Sequence, residues 1–285
     1  MTILGIRRGL FAGLIVVFAA LAAPAAEPPK GMRVFTAGHS FHVFTAPLLV
    51  EMAKSANIAG HENLGTQFIG GSRTIQHWDL PDEKNEAKQA LNTGNVDVLT
   101  LSPHILIPDQ GIDNFVKLAL EKNPNCRILV QASWMPFDDW ENRTKDFKNE
   151  SRNSAKIETL RKGYEKLDKE FHEQMASLNK LHQKEAVFIV PVGHAVMNLR
   201  EKVIEGKAPG IANQADLFTD SIGHAKTPVA ILCAYCHYAI IYKQSPMGLP
   251  VPNGLKKSEK GEELNKLLQE IAWEAVKKEP ASGVK

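Results

Sequence analysis

Short apolar runs that alternate with helix-like patterns are the feature of the sequence that most constrains its fold. Five runs have the length and composition of buried strands, and segments with apolar residues at helical spacing separate them. Such alternation indicates right-handed βαβ units, so we predict a mostly parallel sheet with helices on both faces. The predicted strands are Met32–Ala37, Gly65–Ile69, Val96–Leu101, Cys126–Gln131 and Ala186–Val192.

The segments between the strands predict the helices. Residues 138–185 form a charged insertion, whose first part, 138–156, we expect to be a solvated stretch. From Ile157 its apolar residues recur every three or four positions, which predicts one face of a long amphipathic helix over 157–185. This helix is also a candidate surface for homo-oligomer formation. The other predicted helices are Pro47–Ile58, Glu83–Leu91, Ile112–Glu121, Ala195–Glu205, Thr227–Tyr242 and Glu262–Val276.

Residues 1–25 have the pattern of a secretory signal peptide. Arg7 and Arg8 precede the apolar run Gly9–Ala23, and Ala23-Pro24-Ala25 matches an A-x-A cleavage site. We therefore expect a secreted or periplasmic protein, with a linker over 26–31 and one domain over 32–285. We expect no later membrane span, because the later sequence has no apolar run of about 20 residues.

Charge and cysteine content exclude several function classes. The formal net charge is +2, and both surplus positive charges are arginines of the signal peptide, so the remaining chain is formally neutral. A neutral net charge disfavours the basic surface that nucleic-acid binding requires. Three cysteines are too few for a disulfide scaffold, even in an oxidising compartment.

Three loops carry residue types suited to acyl transfer. Ser40 follows the first predicted strand, where a serine hydroxyl and its own N–H can face a substrate. Gly71 follows the second strand and lets the backbone approach an oxyanion closely. Asp220 and His224 lie on one loop before a predicted helix, so both can reach a single serine. His224 would then be the general base and Asp220 its carboxylate partner. Each signal alone also fits an ordinary turn or a surface histidine.

Taken together, these segments resemble SGNH (GDSL-type) hydrolases, particularly the exported, carbohydrate-esterase-like branches with a G-N-S-F first block. Gly38-His39-Ser40-Phe41 is similar to the first block, Phe68–Ser72 to the second, and Ala215–His224 to the last. The resemblance covers about residues 32–246, including Val229–Pro246 as the closing helix. It implies a flavodoxin-like, three-layer α/β/α fold with five strands. It also implies a Ser-His-Asp triad and no cofactor or metal.

The sequence departs from that family pattern at three places. His39 stands where the family has Asp or Asn before the serine. Asp220 and His224 are separated by three residues instead of two, which leaves Asp216 as a second candidate for the acid. The third block, G-x-N-D, is absent, because the third strand runs into Leu101-Ser102-Pro103-His104. We therefore expect activity that is weak, specialised or absent, since one oxyanion donor is typically worth roughly 10²–10³ in rate.

The resemblance predicts an exported serine esterase that removes an acyl group, expected to be acetyl, from a carbohydrate. Ser40, His224 and Asp220 are the predicted catalytic residues, and the N–H groups of Ser40 and Gly71 form the predicted oxyanion hole. A binding protein without catalysis on the same fold is the alternative. Residues expected to contact the substrate are His39, Trp78 and His104.

A competing motif lies in the segment Val229–Ile241. Cys233-Ala234-Tyr235-Cys236-His237 has the C-x-x-C-H spacing of a c-type haem attachment site. The surrounding sequence is apolar and predicts a buried helix, where haem would have to displace core contacts. Buried cysteines act as small apolar side chains, and this is the preferred interpretation. A local disulfide between Cys233 and Cys236 and a haem-carrying redox protein remain alternatives.

Overall fold

The structure, a computed structural model, describes residues 28–143 and 146–285. The predicted signal peptide, residues 1–25, lies outside the described residues. All five strands belong to one parallel sheet in the order β2-β1-β3-β4-β5. This is the flavodoxin-like order, in which β1 and β3 form the topological switch point. The strands are β1 (Arg33–Gly38), β2 (Glu62–Phe68), β3 (Val98–Leu101), β4 (Arg127–Gln131) and β5 (Val187–Val190).

Eight helices are present in the described part of the chain, and they cover both faces of the sheet. One face packs on α1, α6, α7 and α8 through one apolar cluster. The other packs on α3, α4 and α5 through a second cluster. The predicted three-layer α/β/α architecture is therefore confirmed. The helices are α1 (Thr45–Ser55), α2 (Thr74–Trp78), α3 (Glu86–Asn92), α4 (Gln110–Lys122), α5 (Ile157–Leu181), α6 (Val192–Ile204), α7 (Thr227–Tyr242) and α8 (Gly261–Lys278).

Helix α7 is apolar on all sides and lies inside the molecule. It packs between α1 and α8, as expected for a helix without a polar face. Cys233 and Cys236 are free thiols with no solvent exposure, so the alternative of a disulfide between them is wrong. His237 is also fully buried and bonds the Cys233 carbonyl oxygen through Nδ1 at 2.9 Å. A haem would need an open pocket at these residues, and core side chains fill that space.

The expectation of a solvated stretch over 138–156 is wrong at two positions. The carboxylate of Asp138 is 6% exposed and pairs with the guanidinium groups of Arg152 and Arg200. The side chain of Arg152 has no solvent exposure, and that of Arg200 is 5% exposed. Buried charges are tolerated only when they are paired and hydrogen-bonded. We call Asp138, Arg152 and Arg200 the ion cluster.

Helix α5 has the predicted amphipathic pattern, and its apolar face packs on its own domain. Tyr164, Phe171 and Met175 are almost completely buried against the sheet, whereas Leu181 at the helix end is 72% exposed. The apolar face is thus used within the chain, and oligomer formation through this helix stays a prediction. In residues 28–143 and 146–285, no helix combines the length and apolar character needed to cross a membrane.

A second charged group joins α5 to the end of the chain. His172 Nε2 lies 2.8 Å from Glu279 Oε1, and Nδ1 lies 2.8 Å from the Asp168 carbonyl oxygen. The hydrogen bond to Glu279 raises the pKa of His172 to about 9, because the carboxylate stabilises the imidazolium. Folding therefore favours the protonated form of this histidine.

The raised pKa of His172 predicts a pH-dependent contribution to stability. The contribution should be complete below the unfolded pKa of about 6.5 and should be lost as pH rises through about 9. Denaturant unfolding at several pH values measures it as a fall in the free energy of unfolding over that window. His172→Gln should remove the fall, whereas His182→Gln, just beyond the end of the same helix, should keep it. Equal pH dependence in wild type and His172→Gln would contradict the prediction.

Candidate active site

The loops at the carboxyl ends of the strands form a single cleft of about 500 Å³. Ser40 comes from the loop after β1, Gly71 from the loop after β2 and His104 from the segment after β3. The segment after β4 adds Trp134, and the loop before α7 adds His224. In parallel α/β sheets the ligand site lies at this edge, near the switch point. The chain therefore brings residues from five separate segments to one cavity.

Ser40, His224 and Asp220 form a continuous hydrogen-bonded chain beside this cleft. Ser40 Oγ lies 2.9 Å from His224 Nε2, and His224 Nδ1 lies 2.6 Å from Asp220 Oδ2. A carboxylate only accepts hydrogen bonds, so Nδ1 carries the proton and Nε2 is free to accept from the Ser40 hydroxyl. This is the geometry of a nucleophile, a general base and an orienting carboxylate.

Asp220 is held as a carboxylate by its own loop. Burial raises the pKa of Asp220, but hydrogen bonds from the His224 ring and from the N–H groups of Gly223 and His224 lower it by more. The net pKa lies below the ordinary value, so this side chain is charged at neutral pH. Asp216, the second candidate for the acid, instead accepts the N–H of Asn213 on a neighbouring turn. The three-residue spacing between Asp220 and His224 thus allows direct contact.

A buried polar network supports the loop that carries Ser40. His42 lies beneath this loop without solvent exposure, with Nδ1 3.0 Å from Gln131 Oε1 and Nε2 3.0 Å from Thr100 Oγ1. Gln131 Nε2 donates in turn to the Phe41 carbonyl oxygen at 2.9 Å. Burial lowers the pKa of His42 to about 3, so the ring is neutral and fits this donor and acceptor pattern. Gly38 makes room, because a Cβ there would lie 3.0 Å from His42.

The backbone near Ser40 and Gly71 provides unused donors. Within residues 28–143 and 146–285, neither the Ser40 N–H nor the Gly71 N–H has a hydrogen-bond partner, and both residues line the cleft. Gly71 has φ +59°, a left-handed conformation that favours glycine. Two free N–H groups on residues of the cleft are candidate donors to an oxyanion.

Three groups from other segments hold the loop that carries His224. Trp134 Nε1 donates to the Gly223 carbonyl oxygen at 2.9 Å, and Arg152 Nη2 donates to the Ser221 carbonyl oxygen at 2.6 Å. The Phe137 N–H donates to the carbonyl oxygen of Ile222 at 3.0 Å. The His224 loop is therefore tied both to the ion cluster and to the segment after β4.

Phe137 and Asp138 adopt left-handed backbone conformations, with φ of 57° and 63°. Residues other than glycine pay about 1–3 kcal/mol for such strain, which persists only where surrounding contacts fix it. Here the Asp138 carboxylate is fixed by Arg152 and Arg200. The strained turn directs Phe137 into the wall of the cleft.

Of the three residues expected to contact a substrate, two line the cleft and one does not. His39 lines the cleft, and its Nε2 lies 3.2 Å from the Pro103 carbonyl oxygen. Burial lowers the pKa of His39 to about 4, so the ring is neutral. His104 also lines the cleft, with a buried Nδ1 that has no partner among the described residues. The placement of Trp78 in the site is wrong, because Trp78 does not line the cleft and its half-buried ring packs against Phe115 of α4.

Sequence reasoning missed most of the cleft wall. Ring faces of Phe41 and Trp134 stack at a centroid distance of 4.5 Å, and Phe41 contacts the edge of His224 at 5.4 Å. Phe137 and Trp140 line the same cleft further along this segment. The only sequence signal is position, since Trp134 and Phe137 directly follow a buried strand at its carboxyl end.

One group of side chains has the composition of a metal site, and it lies outside the cleft. Ligand atoms of Asp168, His172 and Glu279 lie within 4.8 Å of one another. Hydrogen bonds already join these three residues, as described for His172. None of them lines the cleft beside Ser40.

Comparison with known proteins shows that this chain resembles solved structures in its fold. No protein-family model matches the chain, and no curated protein does. A crystal structure of a DUF4886 family protein from Bacteroides uniformis matches with a TM-score of 0.56 and 15% identity, over 90% of this chain and 98% of that one. At this identity the likeness concerns the fold alone.

Two further structures are neighbours at lower similarity. A "putative GDSL-like lipase" from Parabacteroides merdae has a TM-score of 0.43 and 13% identity, over 75% of this chain and 96% of that one. A "putative SGNH hydrolase" from Slackia heliotrinireducens has a TM-score of 0.42 and 12% identity, over 75% and 100%. The chain has a three-layer α/β/α fold with a five-stranded parallel sheet in the flavodoxin-like order. The fold expected from the sequence is confirmed.

The ion cluster predicts that Arg152 stabilises the fold and the His224 loop together. Arg152→Met removes a buried charge from Asp138 and a donor from Ser221, so we expect a loss of about 3 kcal/mol in the free energy of unfolding. Arg161→Met is the matched control: it breaks an exposed pair with Glu201 and should cost less than about 1 kcal/mol. Urea unfolding with equal m-values measures both. Equal losses in the two variants would contradict this role of Arg152.

Proposed function

We propose that the protein is a serine hydrolase that cleaves esters through Ser40, His224 and Asp220. The observation that carries the proposal is the continuous chain of contacts, 2.9 Å from Ser40 Oγ to His224 Nε2 and 2.6 Å from His224 Nδ1 to Asp220 Oδ2. Its position at the edge of a cleft supports the proposal, because a substrate carbonyl can approach the serine there. The resemblance of its sequence motifs to SGNH hydrolases and its flavodoxin-like sheet order also support a hydrolase of that superfamily.

The proposed reaction proceeds through an acyl-enzyme. Ser40 Oγ attacks the ester carbonyl carbon while His224 Nε2 takes the hydroxyl proton, and Asp220 stabilises the imidazolium that forms. The C–O bond to the alcohol then breaks, and His224 returns the proton to the departing oxygen. Water attacks the acyl-enzyme in the same manner, releasing the acid and restoring Ser40.

The N–H groups of Ser40 and Gly71 would stabilise the oxyanion of both tetrahedral intermediates. They are unpaired in the described structure and belong to residues of the cleft. The family's third-block asparagine has no equivalent, and His104 is the polar side chain that follows β3 at this edge. Two backbone donors are enough for substantial stabilisation, since each such donor typically contributes roughly 10²–10³ in rate.

Export and the acetylated carbohydrate substrate remain part of the proposal as predictions from the sequence. The binding protein without catalysis is the competing function, favoured by the absent third-block asparagine and by His39 in the first block. The two functions differ in whether Ser40 reacts covalently.

A fluorophosphonate probe tests the nucleophile directly. We expect one probe per protein by intact mass, because His224 activates the Ser40 hydroxyl. Ser40→Ala should abolish the addition. Ser133→Ala should retain it, since that second cleft serine contacts Gln131 and Ser102 instead of a general base. Absence of labelling in the wild type would favour the binding protein.

Asp220→Asn tests the orienting carboxylate. The amide can donate a hydrogen bond to Nδ1 and so favours the wrong tautomer of His224. We expect the rate of ester hydrolysis to fall by about 10³–10⁴, as tautomer loss does in other triads. Stability should change little, because the Asp220 side chain is 42% exposed. Asp216→Asn, on the neighbouring turn, is the control and should keep full activity. An unchanged rate in Asp220→Asn would exclude it as the acid of the triad.

A further inference from the structure

Large apolar side chains wall the cleft beside Ser40. Phe68 contributes from the end of β2, Phe137 and Trp140 from the segment after β4, and Ile222 from the His224 loop. Phe68 is 56% exposed and Ile222 is 40% exposed. Apolar groups left in contact with water around a concavity mark a ligand-binding site. These four side chains are called the apolar wall.

The cleft offers no charge to a substrate. Among its described lining residues there is no Asp, Glu, Lys or Arg. His39 is neutral because burial lowers its pKa to about 4, and burial also lowers the pKa of His104. Arg143 stacks on the Trp140 ring at 4.9 Å but does not line the cleft. An anionic or cationic substrate would lose its hydration without gaining an ionic partner.

Few polar groups remain for the hydroxyls of a sugar. His39 Nε2 is bonded to the Pro103 carbonyl oxygen, and Ser133 Oγ accepts from Gln131 at 2.7 Å. Ser40 and His224 are occupied by the proposed reaction. This leaves the His104 ring and the Trp140 indole N–H as side-chain groups without a hydrogen-bond partner among the described residues of the cleft. A sugar ring buried here would keep most of its hydroxyls unpaired, and each costs about 1–3 kcal/mol.

We propose that the cleft selects neutral esters with an apolar chain longer than acetyl. This inference rests on the proposed ester hydrolysis and replaces its carbohydrate substrate with a different class. The apolar chain belongs to either the acyl group or the alcohol of the ester. The apolar wall removes that chain from water while Ser40 attacks the carbonyl carbon.

Three sets of esters test the substrate class. One set varies the acyl group as p-nitrophenyl acetate, butyrate, hexanoate and octanoate. A second varies the alcohol as methyl, butyl and octyl acetate, and the third is an acetylated xylo-oligosaccharide. We expect kcat/KM to rise about fourfold per added methylene in the first or second set until the chain fills the cleft. The set that shows the rise identifies the part of the ester in the cleft.

Variants of the apolar wall test whether the preference for longer apolar chains depends on the cleft. Phe68→Ser and Ile222→Ser should flatten the rise of kcat/KM with chain length. Leu181→Ser is the control, an exposed apolar side chain that lies outside the cleft. It should keep the full chain-length dependence. Fluorophosphonate labelling of each variant confirms that Ser40 remains reactive.

The outcomes separate this inference from the proposed function. Labelling of Ser40 together with a preference for acetate esters or the acetylated sugar would overturn the inference alone. If there is neither labelling nor turnover, the hydrolase proposal fails. The apolar preference is then tested by measuring ester binding. Methyl octanoate should then quench the fluorescence of Trp134 and Trp140 in Ser40→Ala much more strongly than methyl acetate does. Equal, weak responses to both esters would overturn the apolar preference as well.

Discussion

The ion cluster of Asp138, Arg152 and Arg200 is the constraint on which the arrangement of the site depends. Removing three charged groups from water is costly, and hydrogen bonds to every partner are needed to offset it. Arg152 satisfies part of this need by donating to the Ser221 carbonyl oxygen. The same contact fixes the loop of Asp220 and His224. Satisfying a buried charge and positioning the His224 loop are thus one requirement.

The cluster also explains the strained turn after β4. Left-handed conformations at Phe137 and Asp138 are unfavourable for residues with a Cβ. They persist because the Asp138 carboxylate is held by two arginines from α6 and from the segment before α5. The turn places one aromatic side chain in the cleft and one carboxylate in the interior. A flexible segment at this position would leave the wall of the cleft undefined.

Much of the fold could be predicted from the sequence, because strands buried on both faces form continuous apolar runs. Strand β4 and helix α7 follow such runs closely. Helix α2 was missed, since five residues give no measurable periodicity. Arg152 was assigned to solvent because its type is usually exposed, and only its distant partners make burial tolerable. Local pattern carries no information about those partners.

The residues of the candidate site were also predicted only in part from the sequence. Ser40, Asp220 and His224 stand in short motifs whose chemistry can be recognised along the chain, and the structure places them in contact. Trp78 was placed wrongly because its position after a glycine loop does not reveal which way the ring faces. Trp134 and Phe137 were missed because aromatic residues after a strand are as typical of a core as of a cleft.

Ser40 and His224 are 184 residues apart in the chain, yet their side chains are in hydrogen-bond contact. Closing so long a loop has a large entropic cost, and the intervening strands and helices must be in place to offset it. A segment that contains only the first three strands therefore has Ser40 without His224. The contact exists only where segments from both ends of the domain are packed together, so the proposed reactivity of Ser40 measures that packing.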